Sequence, residues 1–183
     1  LSPPEILHEL PLAEITFGES LRAAGYATGY FGKWHLGGEG FLPTDQGFDT
    51  GLVSGGGHFG SRITGSRSLK LPADTWLGDW LTAEALRFME THRERPFLVM
   101  LSHYAVHIPL QPKPETAARF AERAKTVAGK SDPKYAALLA DLDSATGALL
   151  VGLERLGLAE NTLVVFASDN GGLIRPGRSL QGR

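Results

Sequence analysis

A chain of 183 residues, 42% hydrophobic and 21% charged, has the size of one domain and enough apolar material for a real core. Its net charge of -2, with basic residues scattered along the chain, gives no footprint for nucleic acid or an anionic membrane, and no apolar run approaches the roughly 20 residues needed to cross a bilayer. Cysteine is absent, which excludes disulfides, thiolate metal sites and a cysteine nucleophile within these residues and leaves the redox compartment open.

Residues 1–10 read as a loose lead-in, without the basic region and long apolar run of a signal peptide. Pro11 is placed to start a helix, with Ala13, Phe17, Leu21 and Ala24 at helical spacing and Gly25 as its stop. The run Tyr26–Phe31 predicts a buried strand leading into Gly32-Lys-Trp-His-Leu-Gly37. If the extended backbone persists through Trp34, Lys33 and His35 project to one side and Trp34 to the other. A cation beside a proton-transfer group suits an anionic substrate; the alternative is a solvated lysine and a capping histidine. From Gly37 to Pro72 no period is sustained, which predicts a long surface loop. Within it Gly55-Gly-Gly-His-Phe-Gly60 reads as a flexible rim, since no P-loop lysine follows, and His58 as rim or structure.

Thr75 is placed to cap a helix through about Glu94, with Leu77, Leu81, Ala85, Phe88 and His92 along one side and Pro96 closing it. Arg87, Arg93 and Arg95 read as its solvated end. Phe97–Ser102 is a short continuous apolar run, the pattern of a strand buried on both faces, and it delivers His103-Tyr-Ala-Val-His-Ile-Pro-Leu110. Pro114 and the Ala-rich stretch to Ala128 predict a modest exposed helix. Asp132 then caps a longer one with Pro133 at its first position. Its apolar face is Tyr135, Leu138, Leu142, Ala145, Leu149, Leu153 and Leu156, and Gly157 ends it. Thr162–Ala167 predicts a second two-sided strand, delivering Ser168-Asp-Asn-Gly-Gly172.

Helices alternating with strands predict an α/β layered fold with a mostly parallel sheet. In such sheets sites gather beyond the carboxyl ends of the strands. Lys33 with His35, His103 with His107, and Asp169 with Asn170 all fall there. Asp169 and Asn170 offer hard oxygen donors suited to Ca²⁺ or Mg²⁺, although Asp-Asn-Gly-Gly is equally a good turn. His107 stands two residues before Pro109, whose restricted backbone could aim the imidazole inward; a satisfied structural histidine is the other reading. His103 reads as structural, because a zinc site needs further ligands at matching spacing.

Taken together, Gly25-Tyr, Gly32-Lys-Trp-His-Leu-Gly37, Gly47-Phe-Asp49, Pro96-Phe-Leu, His107-Ile-Pro-Leu and Val165-Phe-Ala-Ser-Asp-Asn-Gly-Gly172 resemble, in order and spacing, the type I sulfatases of the alkaline-phosphatase-like superfamily. The resemblance runs through nearly the whole chain. It implies a partial sulfatase catalytic domain over residues 1–183, incomplete at both ends, in a sulfuric ester hydrolase acting on a sulfated small molecule or carbohydrate. It implies catalytic roles for Lys33, His35 and His107. Lys33 and His107 would bind the sulfate, His35 would assist the nucleophile, and His107 would help protonate the leaving alcohol. Asp169 and Asn170 would ligate Ca²⁺. Family members are often exported, and this chain leaves its compartment open.

The nucleophile of that family is a formylglycine made from a Cys or Ser in a C-x-P-S-R segment, upstream of the lysine–histidine motif. Ser2-Pro-Pro lacks that pattern. Two further metal-binding aspartates would lie further upstream, and a second lysine after residue 183, with Ser179-Leu-Gln-Gly-Arg183 as its approach. Alternatives to the sulfatase reading are a related phosphoesterase or phosphonate hydrolase and a catalytically silent pseudosulfatase module. The expectation is that these 183 residues alone bind Ca²⁺ weakly and do not hydrolyse sulfate esters. Robust turnover of 4-nitrophenyl sulfate by the purified chain, free of contaminants, would contradict it.

Overall fold

The structure, a computed structural model, describes residues 7–126 and 132–170, together with the backbone of 174–175 and 178–179. The expected lead-in over residues 1–6, the helix end at Ala128, Gly171 and Gly172 of the turn, and residues 180–183 lie outside the described residues.

Strand β1 (Ala27–Gly32) is buried along its whole length because it sits inside the sheet. The five-stranded sheet has the order β4-β3-β2-β1-β5, with β2 at Thr50–Ser54, β3 at Arg62–Gly65, β4 at Leu69–Lys70 and β5 at Phe97–Ser102. Both neighbours of β1 run parallel to it, β2 in a register from Gly29↔Thr50 to Gly32↔Val53 and β5 from Ala27↔Phe97 to Gly32↔Ser102. β3 and β4 continue from β2 as an antiparallel meander. Two short strands, β6 (Ile174–Arg175) and β7 (Arg178–Ser179), pair separately.

Alternation along β1 sends Phe31 to one face and Tyr30 to the other. On the first face Phe31, Leu52 and Ile63 pack against Leu77, Leu81, Ala85 and Phe88 of helix α2 (Leu77–Thr91). Each of the leucine, isoleucine and phenylalanine side chains among them contributes about 1.5–3 kcal/mol. On the second face Tyr30, Trp34 and Phe48 form a smaller aromatic cluster with edge-on contacts of 5.0 and 5.3 Å between Tyr30 and its two neighbours. Helix α1 (Phe17–Ala23) closes that side, with Phe17 edge-on to Phe48.

Helices α3 (Pro114–Ala124) and α4 (Pro133–Arg155) pack on one another, and α4 packs on α2. Asp132 caps α4 by accepting from Lys134 N at 2.8 Å, as its place before Pro133 predicts. Gly157, at φ 71°, follows its last turn. By length and composition α4 is apolar enough to cross a bilayer, a possibility the polar residues Asp141 and Asp143 obscure in the sequence. In the fold it buries Ala137, Leu138, Ala145 and Leu153, and its buried Asp141 accepts from Lys113 N at 2.7 Å.

Several expectations are corrected. α1 begins at Phe17 instead of Pro11, because Thr16 and Glu19 form a reciprocal capping box (Glu19 N to Thr16 Oγ1, 3.1 Å; Thr16 N to Glu19 Oε2, 2.8 Å). The stretch from Gly37 to Pro72 contains β2, β3, β4 and a 3-10 turn at Pro43–Asp45. These strands are too short and too rich in Gly, Ser and Thr to show a period. α2 starts at Leu77, after Trp76, and its first N–H donates to His58 O at 2.7 Å. β5 is half-buried instead of enclosed, with Met100 37% exposed, because among the described residues it is an edge strand. Thr162–Ala167 forms no strand: Leu163, Val165 and Phe166 are 89%, 77% and 72% exposed. A strand needs a ladder partner for its backbone, and among the described residues this segment has none.

Gly32 allows the central strand to end where it does. Its φ of 126° favours glycine, and a Cβ there would lie 1.9 Å from Ser102 O on β5. Gly25, at φ 89°, has open space around the same position. Gly25→Ala should therefore cost about 1 kcal/mol of backbone strain, whereas Gly32→Ala should cost more than about 3 kcal/mol, since strain and displacement of a ladder strand add. Urea denaturation of both variants checks this, and equal losses would show that the β1–β5 approach is not constrained.

Candidate functional site

The parallel strands β2, β1 and β5 end along one edge of the sheet, and three loops leave from it: 55–61, 33–37 and 103–110. Lys33 is the first residue beyond β1. Its N–H still donates to Ser102 O at 2.9 Å, so the backbone carrying the ammonium stays tied to the end of β5. The Tyr30 hydroxyl donates to Lys33 O, and it lies 2.9 Å from Ser102 Oγ. The phenol has one proton, so Ser102 donates the second bond. Burial pushes the Tyr30 pKa up, which keeps that proton in place. Tyr30 thus clamps Lys33 from beneath.

The expected extended path does not persist to Trp34. Gly32 turns the chain, and His35 takes a left-handed backbone at φ 61°, uncommon for a non-glycine residue. Trp34 turns inward and donates from Nε1 to Phe41 O at 2.7 Å, while Lys33 stays half-buried and His35 is exposed. Strand alternation is therefore not what presents Lys33 and His35; a turn on a buried tryptophan does.

Beyond β5 the two histidines differ sharply. His103 is tucked in, with Nδ1 buried and without a hydrogen-bond partner among the described residues. Burial pushes its pKa down to about 4, against a smaller opposing pull from Asp79. It is a neutral histidine of the core margin, as its structural reading implies. His107 is exposed. Its N–H donates to Tyr104 O at 2.9 Å and its Nδ1 lies 2.7 Å from Ile108 O. A carbonyl only accepts, so Nδ1 carries the proton, and Nε2 has no hydrogen bond among the described residues. The Tyr104 ring stands 5.0 Å from the His107 ring and 4.9 Å from that of His58. His58 is buried, and its Nε2 lies 2.9 Å from His107 O. Of the rim and structural readings of His58, burial decides for the structural one: it is an internal strut.

Asp169 and Asn170 are exposed and bonded locally, Asn170 N donating to Asp169 Oδ1 at 2.8 Å. No hydrogen bond or ion pair among the described residues joins them to Lys33, His35 or His107. Carboxylate and amide oxygens are the right donors for Ca²⁺, but two residues fall well short of its six to eight ligands. No cluster of three or more His, Asp or Glu side chains suited to a metal occurs among the described residues. The described set does not make a calcium shell.

Two supporting roles escaped the sequence reading, although Asp49 stands in the Gly47-Phe-Asp49 motif. Asp49 accepts from Thr28 N at 3.0 Å while Thr28 Oγ1 bridges Gly47 O and Asp49 N at 2.9 Å each, so the Gly-Phe-Asp turn latches β2 to β1. Ser102 is the other, linking the two loops that carry Lys33 and His107. A short polar residue closing an apolar strand run was its only signal.

The fold and this edge define an α/β domain whose polar loops gather beyond the carboxyl ends of parallel strands. The chain belongs to the sulfatase family: the family model Sulfatase matches residues 2–182. It is 30% identical to arylsulfatase J of Mus musculus over 93% of this chain and 31% of that protein. With arylsulfatase A of Homo sapiens it shares 32% identity over 88% of this chain and 36% of that protein. With N-acetylgalactosamine-6-sulfatase of Mus musculus it shares 29%, over 94% and 36%. The chain thus spans about a third of the length of these relatives. The crystal structure of Ps i-CgsB in complex with k-i-k-neocarrahexaose superimposes with a TM-score of 0.73 at 23% identity, covering 86% of this chain and 40% of that one. A structure of BT4656 with its substrate D-glucosamine-2-N,6-O-disulfate gives a TM-score of 0.55 at 26% identity, covering 62% and 23%. The fold is alkaline-phosphatase-like.

The half-buried His103, with its Nδ1 shielded from solvent, makes stability pH-dependent. Its folded pKa lies below the unfolded value of about 6.5, so the unfolded state takes up the proton first as pH falls. Stability should be complete above pH ~6.5 and be lost progressively towards pH 4, by on the order of 3 kcal/mol from this group. His103→Gln should flatten that part of the profile in urea denaturation. Parallel profiles for the two proteins between pH 6.5 and 4.5 would refute the assignment.

Proposed function

We propose that this chain forms part of the catalytic domain of a sulfuric ester hydrolase and supplies Lys33, His35 and His107 to its reaction. The observation that carries the reading is the bond from Lys33 N to Ser102 O, which holds the lysine loop beside the histidine loop at the strand ends, in a chain of the sulfatase family. The Lys33 ammonium suits a sulfate and the charge that develops on its oxygens. With Nδ1–H committed to Ile108 O, His107 works through Nε2; as an imidazolium it donates a proton there to the departing alcohol oxygen. His35, exposed beyond the Trp34 turn, is the group for proton transfer at the nucleophile and at the later collapse of a covalent intermediate. That nucleophile is proposed to be a formylglycine supplied from outside this sequence. Asp169 and Asn170 are proposed as two of the oxygen donors to a Ca²⁺ that completes its shell elsewhere, and no step is derived through it.

The substrate proposed is a sulfated carbohydrate. Among the relatives, one is named for N-acetylgalactosamine 6-sulfate, one fold neighbour holds a neocarrahexaose and another a glucosamine disulfate.

The test is made in the enzyme that carries this chain together with its flanking sequence. His107→Ala should lower turnover of a sugar sulfate by about 10²–10⁴, the usual contribution of a general acid. It should lower turnover of 4-nitrophenyl sulfate far less, because that phenolate leaves without protonation, whereas His35→Ala should not discriminate between the two. Equal losses for His107→Ala would leave it as a sulfate-binding residue only, and no sulfate release from either substrate by the intact enzyme would overturn the reading altogether.

A further inference from the structure

We propose that His58 is a positioning residue for His107: its Nε2–H holds the His107 carbonyl and so fixes the loop that presents the exposed imidazole. The proposal rests on the reading of His107 as a site residue.

The loop from His103 to Leu110 has few bonds of its own. The turn from His107 N to Tyr104 O and the bond from Tyr104 Oη to Ile108 O, 2.7 Å, close it on itself without attaching it to the fold. Ala105, Val106 and Leu110 pack on Trp76, Leu138 and Ala145, and His58 adds two ties to the loop and one to Gln111, which follows it. The His58 Nε2 lies 2.9 Å from His107 O, its backbone N–H donates to Gln111 Oε1 at 3.4 Å, and its ring packs at 4.9 Å and 64° on Tyr104. His58 is itself immobilised. It is 1% exposed, its carbonyl accepts the first N–H of α2, and the next residue, Phe59, bridges to Trp76. The anchor is therefore the start of α2, a core helix.

Sheet order makes the contact informative. β2 and β5 lie on opposite sides of β1, so the bond joins the loops that leave the two neighbours of β1 at its carboxyl end. Lys33 leaves the sheet at that point. One buried imidazole thus ties the loop that leaves one neighbour of the lysine strand to the loop that leaves the other. A carbonyl acceptor demands a proton on Nε2, which assigns His58 the Nε2–H tautomer. Burial, the larger influence, lowers the His58 pKa and favours that neutral form. Nothing in this arrangement places His58 on substrate, so its effect is exerted through His107.

The experiment is nuclear magnetic resonance of the 183-residue chain. In the wild-type protein at pH 7.5, long-range proton–nitrogen spectra should show His58 protonated at Nε2 and bare at Nδ1. The opposite tautomer would overturn the proposal, whether or not any variant folds. His58→Phe keeps an aromatic ring against Tyr104 and removes the donor. It should raise amide exchange at His107 roughly tenfold, with shifted Tyr104 and Ile108 resonances, while β1 and α2 amides keep their protection. His58→Gln, which offers an amide N–H at similar reach, should restore exchange to within about threefold of wild type. Unchanged exchange at His107 in His58→Phe, or a uniform rise across β1 and α2, would reduce His58 to a core residue. Failure of the site reading looks different: in the enzyme with its flanking sequence His107→Ala would leave hydrolysis intact, while the wild-type spectra of the chain still showed His58 bonded through Nε2–H.

Discussion

Everything at the candidate site hangs on the approach of two parallel backbones where β1 and β5 end. Gly32 comes so near Ser102 that no side chain fits between them. The next amide, Lys33 N–H, then continues the ladder by one bond beyond the last strand residue. Tyr30 seals the joint from the opposite face, with its single proton on Lys33 O and its oxygen shared with Ser102. A flexible four-carbon side chain thereby starts from a fixed backbone. Positioning a cation for an anionic group depends on that, because a mobile lysine surrenders rotamer entropy each time it binds.

The same economy appears on the other side of Lys33. Loops carry function when a rigid scaffold holds them, and here the scaffold is reached through side chains instead of ladders. Trp34 locks the lysine turn by burying its ring against Tyr30 and spending its only donor on Phe41 O. His58, Tyr104 and the α2 start do the corresponding work for the histidine loop. Each of these aromatics has an apolar body in the core and one polar atom aimed at a loop carbonyl, a combination that fixes irregular backbone without a regular element. Exposed His35 and His107 are held by neighbours that are themselves buried.

The opposite margin of the sheet is organised differently. β5 has its outer edge unpaired among the described residues, and Leu163, Val165 and Phe166 stand exposed on an extended segment that carries Asp169 and Asn170. A continuous apolar run signals two-sided burial, but it cannot supply the neighbours that would bury it. Two oxygen-donor residues on such a segment are consistent with a cation site only as a fraction of its shell.

By itself the sequence determined the elements whose cause is local. Pro133 behind Asp132 started α4, Gly157 followed its end, the spacing of Leu77, Leu81, Ala85 and Phe88 placed α2, and apolar runs marked β1 and β5. It also determined that Lys33 and His107 lie just beyond strand ends, since breakers and polar residues follow each run directly. Only the tertiary structure decided the rest. Strands of five, four and two residues in the glycine-rich stretch exist because each finds a ladder partner, β2 on β1, β3 on β2 and β4 on β3, not because of a period. Thr162–Ala167, with a far stronger pattern, has no ladder partner among the described residues. His58 is the sharpest case: a glycine-flanked histidine looks the same whether it is solvated or buried. What makes it a strut is a carbonyl 49 residues away, brought within 2.9 Å by the order of the sheet.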